Sequence, residues 1–436
     1  MLPILHQSYW RDEAFSILLS SNNLKDIFWL TLKDVHPPLY YFLLHFWIKL
    51  FGDAEYITRT LSLLFHFLLA LTCFFIIKHL LKNWRVAILG SLAIFLNPFL
   101  LEYAFEARSY TLFGLLVAVS TLLYLKKRYL LTSTFLTLSL LTHNFAVFFF
   151  AGFITHWLVV NHQRLKQKLW QSLILFTLPI LSFIGWLQVL WNQWVKVAEG
   201  FWIETQSSSI FVDAFRNFFQ GSLDYPSKDM LYNLTLILVF LTGAYWLIKA
   251  VKTDQQSKPN PSSILVYLFS LPFLSVYIIS AFWVSIYHER FLLPILPMFI
   301  IWAVYSLYKL SSLKPSFTYL IFAFSIAYLL FNLQSAEEIL RKTTKPAINY
   351  GIDQILTTAQ DGDVIVPENN LNFLETKYYV QRSGKNISVY AYSEKGLDEI
   401  PFYIGKILFN PEDIITQYPE NTNIWIITPD GGYYLK

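Results

Sequence analysis

The sequence predicts an all-α polytopic membrane bundle of about ten spans, followed by a small C-terminal α/β domain. Its composition is 55% hydrophobic, 18% aromatic and only 14% charged over 436 residues, which lies outside the balance of soluble proteins. Apolar stretches long enough to cross a membrane recur up to residue 333. From residue 334 the sequence becomes mixed and polar, with short β-type runs. We therefore divide the chain into a membrane portion, 1–333, and a second domain, 334–436.

The spans are assigned by length, because a helix crosses a bilayer with about 20 mostly apolar residues. Ten stretches qualify: 57–77, 86–101, 109–125, 129–143, 144–160, 170–192, 231–248, 263–284, 291–308 and 316–333. The lone cysteine, Cys73, lies in the first span. No disulfide can therefore form within the chain.

The loops between the spans alternate in charge, which sets the orientation. Basic clusters occupy every second loop, and Lys and Arg are retained on the cytoplasmic side. The alternate loops, including 1–56, and the C-terminal domain are then expected on the extracytoplasmic side. The first loop has no helix ahead of it and no visible signal peptide. Either a short tail is translocated unaided, or an upstream first helix is missing from this reading of the gene, and we favour the missing helix.

The stretch "DVHPPLYYFLLHFWIKLFGD", residues 34–53, predicts a short helix over 38–51. Residue 36 precedes a proline and favours extended geometry, while two prolines suit a first helical turn. Gly52 can end the helix. Tyr41, His45 and Lys49 share one stripe, and the opposite stripe is apolar. Such a helix is typical of the membrane interface and is too short for a crossing.

The second domain carries β-type runs at 363–366, 387–392 and 424–428, with a helical pattern over 346–360. Acidic residues outnumber basic ones there, so no patch for nucleic acid is present. The sequence contains no glycine-rich phosphate loop, zinc-type spacing or internal repeat. A nucleotide-binding site is therefore not expected.

Five motifs occur in one order along the membrane portion. They are "YWRDEAFS" at 9–16, "DVHPPLYY" at 34–41, "LFGDAEYITRTLS" at 50–62, "EARSY" at 106–110 and "ERFLLPILP" at 289–297. This set resembles the GT-C fold glycosyltransferases that use polyprenol-phosphate sugars, a group that includes protein O-mannosyltransferases, aminoarabinose transferases and bacterial family 39 enzymes. Members of that group usually carry a first transmembrane helix ahead of the Asp-Glu pair, and this sequence lacks it.

The resemblance implies roles for the charged residues of these motifs. Sugar transfer from a polyprenyl phosphate develops positive charge at the anomeric carbon and negative charge on the leaving phosphate. Asp12 is then the general base, and Glu13 orients the acceptor or stabilises the cationic centre. The residues expected to bind the donor phosphate are Arg108, His36, Arg59 and Arg290. The residues expected to support them are Asp34, Glu106, Glu289 and His143.

Each assignment has a structural alternative. Two adjacent acids in a loop are commonly only solvated. Arg59 could anchor a span at the lipid headgroups, and Arg290 could pair with Glu289. Arg108 could form an ion pair with Glu106, and His143 is readily explained as a packing residue.

We expect an enzyme of the bacterial cytoplasmic membrane, with its active site on the extracytoplasmic side. It would move one sugar from a donor such as undecaprenyl-phosphate sugar to a lipid, polysaccharide or protein acceptor, with inversion. The alternatives are a multispan transporter or lipid flippase, which predicts charges at mid-span and inverted repeats, and a scaffold protein of the cell envelope. No cofactor is firmly implied. Asp12, Glu13 and Asp34 offer oxygen ligands for a weakly held divalent metal, and that question stays open.

Overall fold

The computed structural model describes residues 2–199, 203, 210–221, 236, 240, 243, 246, 260–311, 315–341 and 345–436. Within these ranges the helices are α1 Pro3–His6, α2 Arg11–Ser20, α3 Leu24–Lys33, α4 Leu39–Phe51, α5 Glu55–Leu81, α6 Trp84–Phe95, α7 Pro98–Ala104, α8 Tyr110–Leu125, α9 Tyr129–Leu140, α10 Ala146–Asn161, α11 Leu169–Glu199, α12 Ile210–Gln220, α13 Ser263–Phe282, α14 Ile295–Ser311, α15 Pro315–Arg341, α16 Ile348–Thr358 and α17 Phe373–Ser383. The strands are β1 Val364–Pro367, β2 Ser388–Val389, β3 Ala391–Tyr392, β4 Ile414–Ile415, β5 Ile424–Ile427 and β6 Tyr433–Leu435.

Helices occupy nine of the ten predicted spans, and the remaining stretch, 231–248, lies almost wholly outside the described residues. Three of the described helices are long and apolar enough to cross a membrane: Glu55–Leu81, Leu169–Lys196 and Ser263–Phe282. A fourth span results if α6 and α7, which meet at a bend of 62°, are taken together. The predicted helical character is therefore confirmed. The number of crossings stays a prediction.

Helix α4 begins and ends where its sequence predicts. It runs from Leu39 to Phe51, and Gly52 follows with a positive φ of 96°, a conformation that favours glycine. The predicted apolar stripe is exposed, with Phe46 at 50% and Leu50 at 74% of their surface. On the opposite stripe, buried His45 hydrogen-bonds through Nδ1 to the Ser20 carbonyl at 2.8 Å. The helix thus packs on the protein through Tyr41 and His45 and leaves the Leu43, Phe46 and Leu50 part of its apolar stripe exposed.

The predicted start of the C-terminal domain, residue 334, lies within helix α15. The part of the domain described after that helix, residues 345–436, is built on a four-stranded sheet of order β2-β1-β5-β6. Strand β1 is central and parallel to both of its neighbours, while β6 runs antiparallel to β5. The interior of β1 and most of β5 is buried, as expected for a parallel sheet covered on its faces. A parallel pair formed by β3 and β4 lies beside it. Strands β1, β2, β3 and β5 form where the β-type runs predict them, whereas β4 and β6 lie outside the predicted runs.

The C-terminal domain is joined to the helical portion by a shared apolar core. Buried residues of α2, α4 and α8 belong to one hydrophobic cluster with buried residues of α16, α17 and β1. Polar contacts flank this core. Tyr379 Oη accepts the Tyr9 backbone N–H at 2.7 Å and donates to Glu55 at 2.9 Å. Tyr378 Oη donates to the Asp53 carbonyl at 3.0 Å. The domain is therefore fixed against the segment that carries α2.

Gly351 on α16 provides a test of the domain's packing. A Cβ at this position would lie 2.2 Å from the Gly431 carbonyl oxygen, which is backbone and cannot move aside easily. We expect Gly351→Ala to destabilise the protein by about 1–3 kcal/mol through overpacking, measured as a lower unfolding midpoint in detergent. Gly185→Ala on α11 is the control, because a Cβ there meets no described atom within 4 Å. Equal midpoints for the two variants would contradict this packing.

Candidate active site at the start of helix α2

Helix α2 turns its two adjacent acids in different directions. Asp12 and Glu13 occupy its first turn, where the positive end of the helix dipole favours carboxylates. Consecutive residues of a helix are about 100° apart around its axis. Asp12 therefore faces a cavity, whereas the Glu13 side chain is fully buried in protein.

Glu13 forms a bidentate ion pair with Arg59, and both side chains are 0% exposed. Arg59 Nε and Nη2 donate to the two carboxylate oxygens at 2.9 and 2.7 Å. The remaining Arg59 N–H groups donate to the backbone carbonyls of Ile4, Leu5, Gln7 and Ser8. The guanidinium is thus surrounded by acceptors from its own protein.

A second cation and a backbone amide complete the surroundings of Glu13. The Ala107 N–H donates to Oε1 at 2.9 Å, and Lys345 Nζ lies 3.0 Å from Oε2. The same Nζ lies 3.3 Å from Glu106. Burial by itself raises the pKa of Glu13, but Arg59 and Lys345 outweigh it and lower the pKa to about 2. Glu13 is therefore a permanent anion at neutral pH.

Asp12 faces a different set of cations. Arg290 Nη2 lies 3.4 Å from Oδ2, and Arg11 Nε lies 3.5 Å from Oδ1. Arg108 Nη1 donates to the Asp12 backbone carbonyl at 3.1 Å. Burial raises the pKa of Asp12, but Arg290, Arg108 and Arg11 together hold it well below its usual value. Asp12 is thus ionised and paired.

Arg108 continues into a chain of polar contacts with the loop before α4. Its Nη2 lies 3.0 Å from His36 Nε2, and His36 Nδ1 lies 2.7 Å from Asp34 Oδ2. A guanidinium can only donate, so His36 Nε2 must be the acceptor. Nδ1 then carries the proton and donates to Asp34. His36 is therefore held between an arginine and a carboxylate.

Two amide side chains that sequence reasoning missed hold this loop in place. Asn144 Nδ2 donates to the Val35 carbonyl at 2.9 Å and to Gln193 Oε1 at 2.8 Å. Gln193 Nε2 donates to the Asp34 carbonyl at 2.6 Å. Neither residue belongs to one of the five motifs. Gln193 lies near the end of α11, an apolar helix of 31 residues. Only the fold brings them to the loop.

These groups line a central cavity of about 560 Å³. Its polar part is formed by Arg11, Asp12, Asp34, His36, Arg108, His143, Asn144, Gln193 and Arg290. Its apolar part is formed by side chains of α10, α11 and α13 and the residues next to them, among them Phe145, Phe148, Phe183, Trp191, Trp194 and Ile279. Tyr403, Ile404 and Gly405 of the C-terminal domain form a third wall. One cavity thus joins a charged pocket to an apolar one.

The cavity collects six of the ten residues that the sequence singles out: Asp12, Asp34, His36, Arg108, His143 and Arg290. The His143 ring stacks on Phe113 at 5.0 Å, and its Nδ1 accepts the Phe145 backbone N–H at 3.2 Å. It therefore has both a packing role and a place in the wall.

The other four residues lie outside the lining. Glu13 and Arg59 are paired beneath it, and Glu106 contacts Lys345. Glu289 accepts a hydrogen bond from Asn217 at 2.7 Å. Their predicted roles at the substrate stay predictions, while their contacts in this structure are with protein.

Comparison with known proteins identifies the fold. No protein-family model matches the sequence, and no curated protein matches it significantly. The structure is similar to ArnT from Cupriavidus metallidurans in the apo state, with a TM-score of 0.65 at 10% identity over 98% of this chain and 90% of that chain. It is also similar to the same protein bound to undecaprenyl phosphate, with a TM-score of 0.61 at 9% identity and the same coverage.

The chain has an ArnT-like fold. This likeness supports the predicted GT-C-like fold. The identity is low enough that the likeness extends to fold alone.

The described carboxylates are not gathered into a group suited to a metal ion. Within the described ranges no group of three His, Cys, Asp or Glu side chains is arranged to hold an ion. Asp12 and Asp34 share the cavity, but Glu13 points away from it toward Arg59. The three acids therefore do not form the oxygen cluster considered from sequence.

The buried pair predicts a large cost for removing one partner. Arg59→Leu would leave the buried Glu13 carboxylate with only Lys345 and the Ala107 N–H of its described partners, and breaking such a pair costs about 3–5 kcal/mol. We expect a strongly lowered unfolding midpoint in detergent. Arg341→Leu is the control, because its pair with Glu337 is highly exposed and contributes at most about 1 kcal/mol. A similar small loss in both variants would refute the structural importance of the Arg59 pair.

Proposed function

We propose that the protein is a membrane glycosyltransferase that transfers a sugar from a polyprenyl-phosphate donor to an acceptor on the extracytoplasmic side. The central cavity carries this proposal. Its charged part contains Asp12, the candidate base, together with guanidinium groups, and this part is continuous with an apolar pocket. The fold shared with an ArnT that binds undecaprenyl phosphate gives further support. The carrier proposed here is accordingly undecaprenyl phosphate.

The charges of the cavity suit this donor. Three guanidinium groups, from Arg11, Arg108 and Arg290, face two carboxylates, from Asp12 and Asp34. A sugar phosphodiester carries one negative charge, which would balance the excess positive charge. The aromatic and aliphatic side chains of the apolar part offer a surface for the first isoprene units, which gain free energy on leaving water.

In the proposed reaction Asp12 acts as general base. The acceptor hydroxyl passes its proton to an Asp12 oxygen as its own oxygen bonds to the anomeric carbon, and the bond from that carbon to the phosphate oxygen breaks. The electron pair of that bond leaves with the phosphate. Arg108 and Arg290 would stabilise the added negative charge through planar, bidentate hydrogen bonding. Direct attack inverts the configuration at the anomeric carbon.

Donor binding would also activate the base. In the resting structure Arg290 is shared with Asp12 and Arg108 with His36. A phosphate that draws both guanidinium groups toward itself would weaken their hold on Asp12, and its basicity would rise. His36 would then lie beside the phosphate. Glu13 and Arg59 act in this scheme by holding α2, not by touching the donor.

Asp12→Asn tests the base directly. An amide cannot take the proton, and general base catalysis contributes about 100-fold to 10,000-fold. We expect transfer of radiolabelled sugar from undecaprenyl phosphate to fall by about 100-fold or more, while donor binding persists. Asp26→Asn, an exposed acid at the start of α3, is the matched control. Equal transfer by Asp12→Asn and the unchanged protein would remove Asp12 as base.

Arg290→Gln tests whether Arg290 lowers the pKa of Asp12, by means of the pH dependence of kcat/KM. Because Arg290 lowers the pKa of Asp12, the acid limb of kcat/KM in the unchanged protein should lie below the usual aspartate value of about 3.9. Removing Arg290 should move that limb to higher pH, since burial then opposes ionisation with less compensation. The measurement is kcat/KM against pH. A limb that stays in place in Arg290→Gln would contradict the coupling.

A further inference from the structure

One wall of the central cavity belongs to the C-terminal domain. Tyr403, Ile404 and Gly405 line the cavity together with Arg11, Asp12 and Phe15 of the helical portion. They form a single helical turn, Phe402–Ile404, that ends at Gly405. The sequence carries no motif at this turn, and neither the fold nor the proposed chemistry gives it a role.

The turn is held tightly against α2. Gly405 has a φ of 84°, and a Cβ there would lie 2.8 Å from Phe15 Cδ2 and 2.7 Å from Leu374 Cδ1. Ile404 is 2% exposed. Phe15 follows Asp12 by three residues, so the two side chains share one face of the helix. The turn therefore lies beside the face of α2 that presents Asp12.

The other walls are already used in the proposed reaction. The donor phosphate occupies the side of Arg108 and Arg290, and the lipid tail occupies the apolar part between α10, α11 and α13. An inverting transfer brings the acceptor to the anomeric carbon from the side opposite the leaving phosphate. The turn at 403–405 also lies beside Asp12, and in this scheme neither the donor phosphate nor the lipid tail occupies it.

We propose that this turn is the acceptor subsite, that Tyr403 is its recognition residue, and that the acceptor is a carbohydrate; this rests on the proposed function. A tyrosine offers an apolar ring and a polar hydroxyl on one side chain. The ring can pack on the C–H face of a sugar while the hydroxyl bonds to a sugar hydroxyl. Ile404 and Phe15 extend the apolar surface. A serine or threonine in a peptide presents no such face.

The test separates acceptor binding from donor binding. Radiolabelled undecaprenyl-phosphate pentoses and hexoses serve as donors, and lipid A, a cell-wall disaccharide and a Ser/Thr-rich peptide serve as acceptors. Tyr403→Ala should raise the KM of the glycan acceptor by about tenfold or more. The donor KM and the slow hydrolysis of donor by water should change by less than about twofold. Tyr403→Leu, which keeps apolar packing, should show the same acceptor defect.

Two further variants complete the design. Tyr403→Phe keeps the ring but loses the hydroxyl's hydrogen bond, so its acceptor KM should rise less than that of Tyr403→Ala. Tyr350→Ala is the matched control, because this tyrosine lies in the same domain, is 62% exposed and is not in the cavity wall. It should behave as the unchanged protein.

Three results would overturn the assignment. They are an unchanged acceptor KM in Tyr403→Ala, a donor KM that rises as much as the acceptor KM, or transfer to the peptide without dependence on Tyr403. Each leaves donor turnover by the unchanged protein intact, so only the acceptor subsite falls. If the unchanged protein neither transfers nor hydrolyses sugar from any donor, the proposed function fails and the subsite fails with it.

Discussion

The buried contact between Glu13 and Arg59 is the constraint on which the candidate site depends. Two charges without exposure to water carry a large desolvation penalty. Here that penalty is offset by bidentate pairing and by hydrogen bonds from the guanidinium to four backbone carbonyls. These bonds connect the chain before α2, the first turn of α2 and the start of α5. Because these bonds fix the orientation of α2, they also fix the direction in which the adjacent acid, Asp12, points.

The surroundings of Asp12 and Glu13 explain how neighbouring carboxylates acquire different properties. Glu13 has a complete set of donors from the protein and no access to the cavity. Asp12 has arginine neighbours that also line the cavity, so a bound anion can compete for them. The first arrangement stabilises structure, and the second can respond to a ligand. Two carboxylates that are adjacent in sequence thus have different roles, because their burial and their hydrogen-bonding partners differ.

The C-terminal domain is an integral part of the site. Its apolar cluster continues into α2 and α4, and Lys345 at its start reaches Glu13 and Glu106. Glu375 on α17 lies buried near the beginning of α2. Burial raises the pKa of this carboxyl to about 8, although a hydrogen bond donated by Asn372 at 2.8 Å favours the charged form. A carboxyl that is mostly protonated at neutral pH adds little negative charge beside Asp12. The domain therefore supports α2 without weakening the pairing of its acid.

The sequence by itself determined the helical, apolar character of the chain, the bounds of α4, the positions of the principal strands and the charged motifs. These follow from local periodicity, proline and glycine, which act within a few residues. Whether Glu13 or Asp12 would face the cavity depended on the long-range contact with Arg59, 46 residues away. The places of Asn144, Gln193 and Tyr403 were likewise decided by tertiary structure. They sit in apolar or unpatterned segments, and only packing between distant helices and the C-terminal domain brings them to Asp12, because a side chain's partners are set by the whole fold.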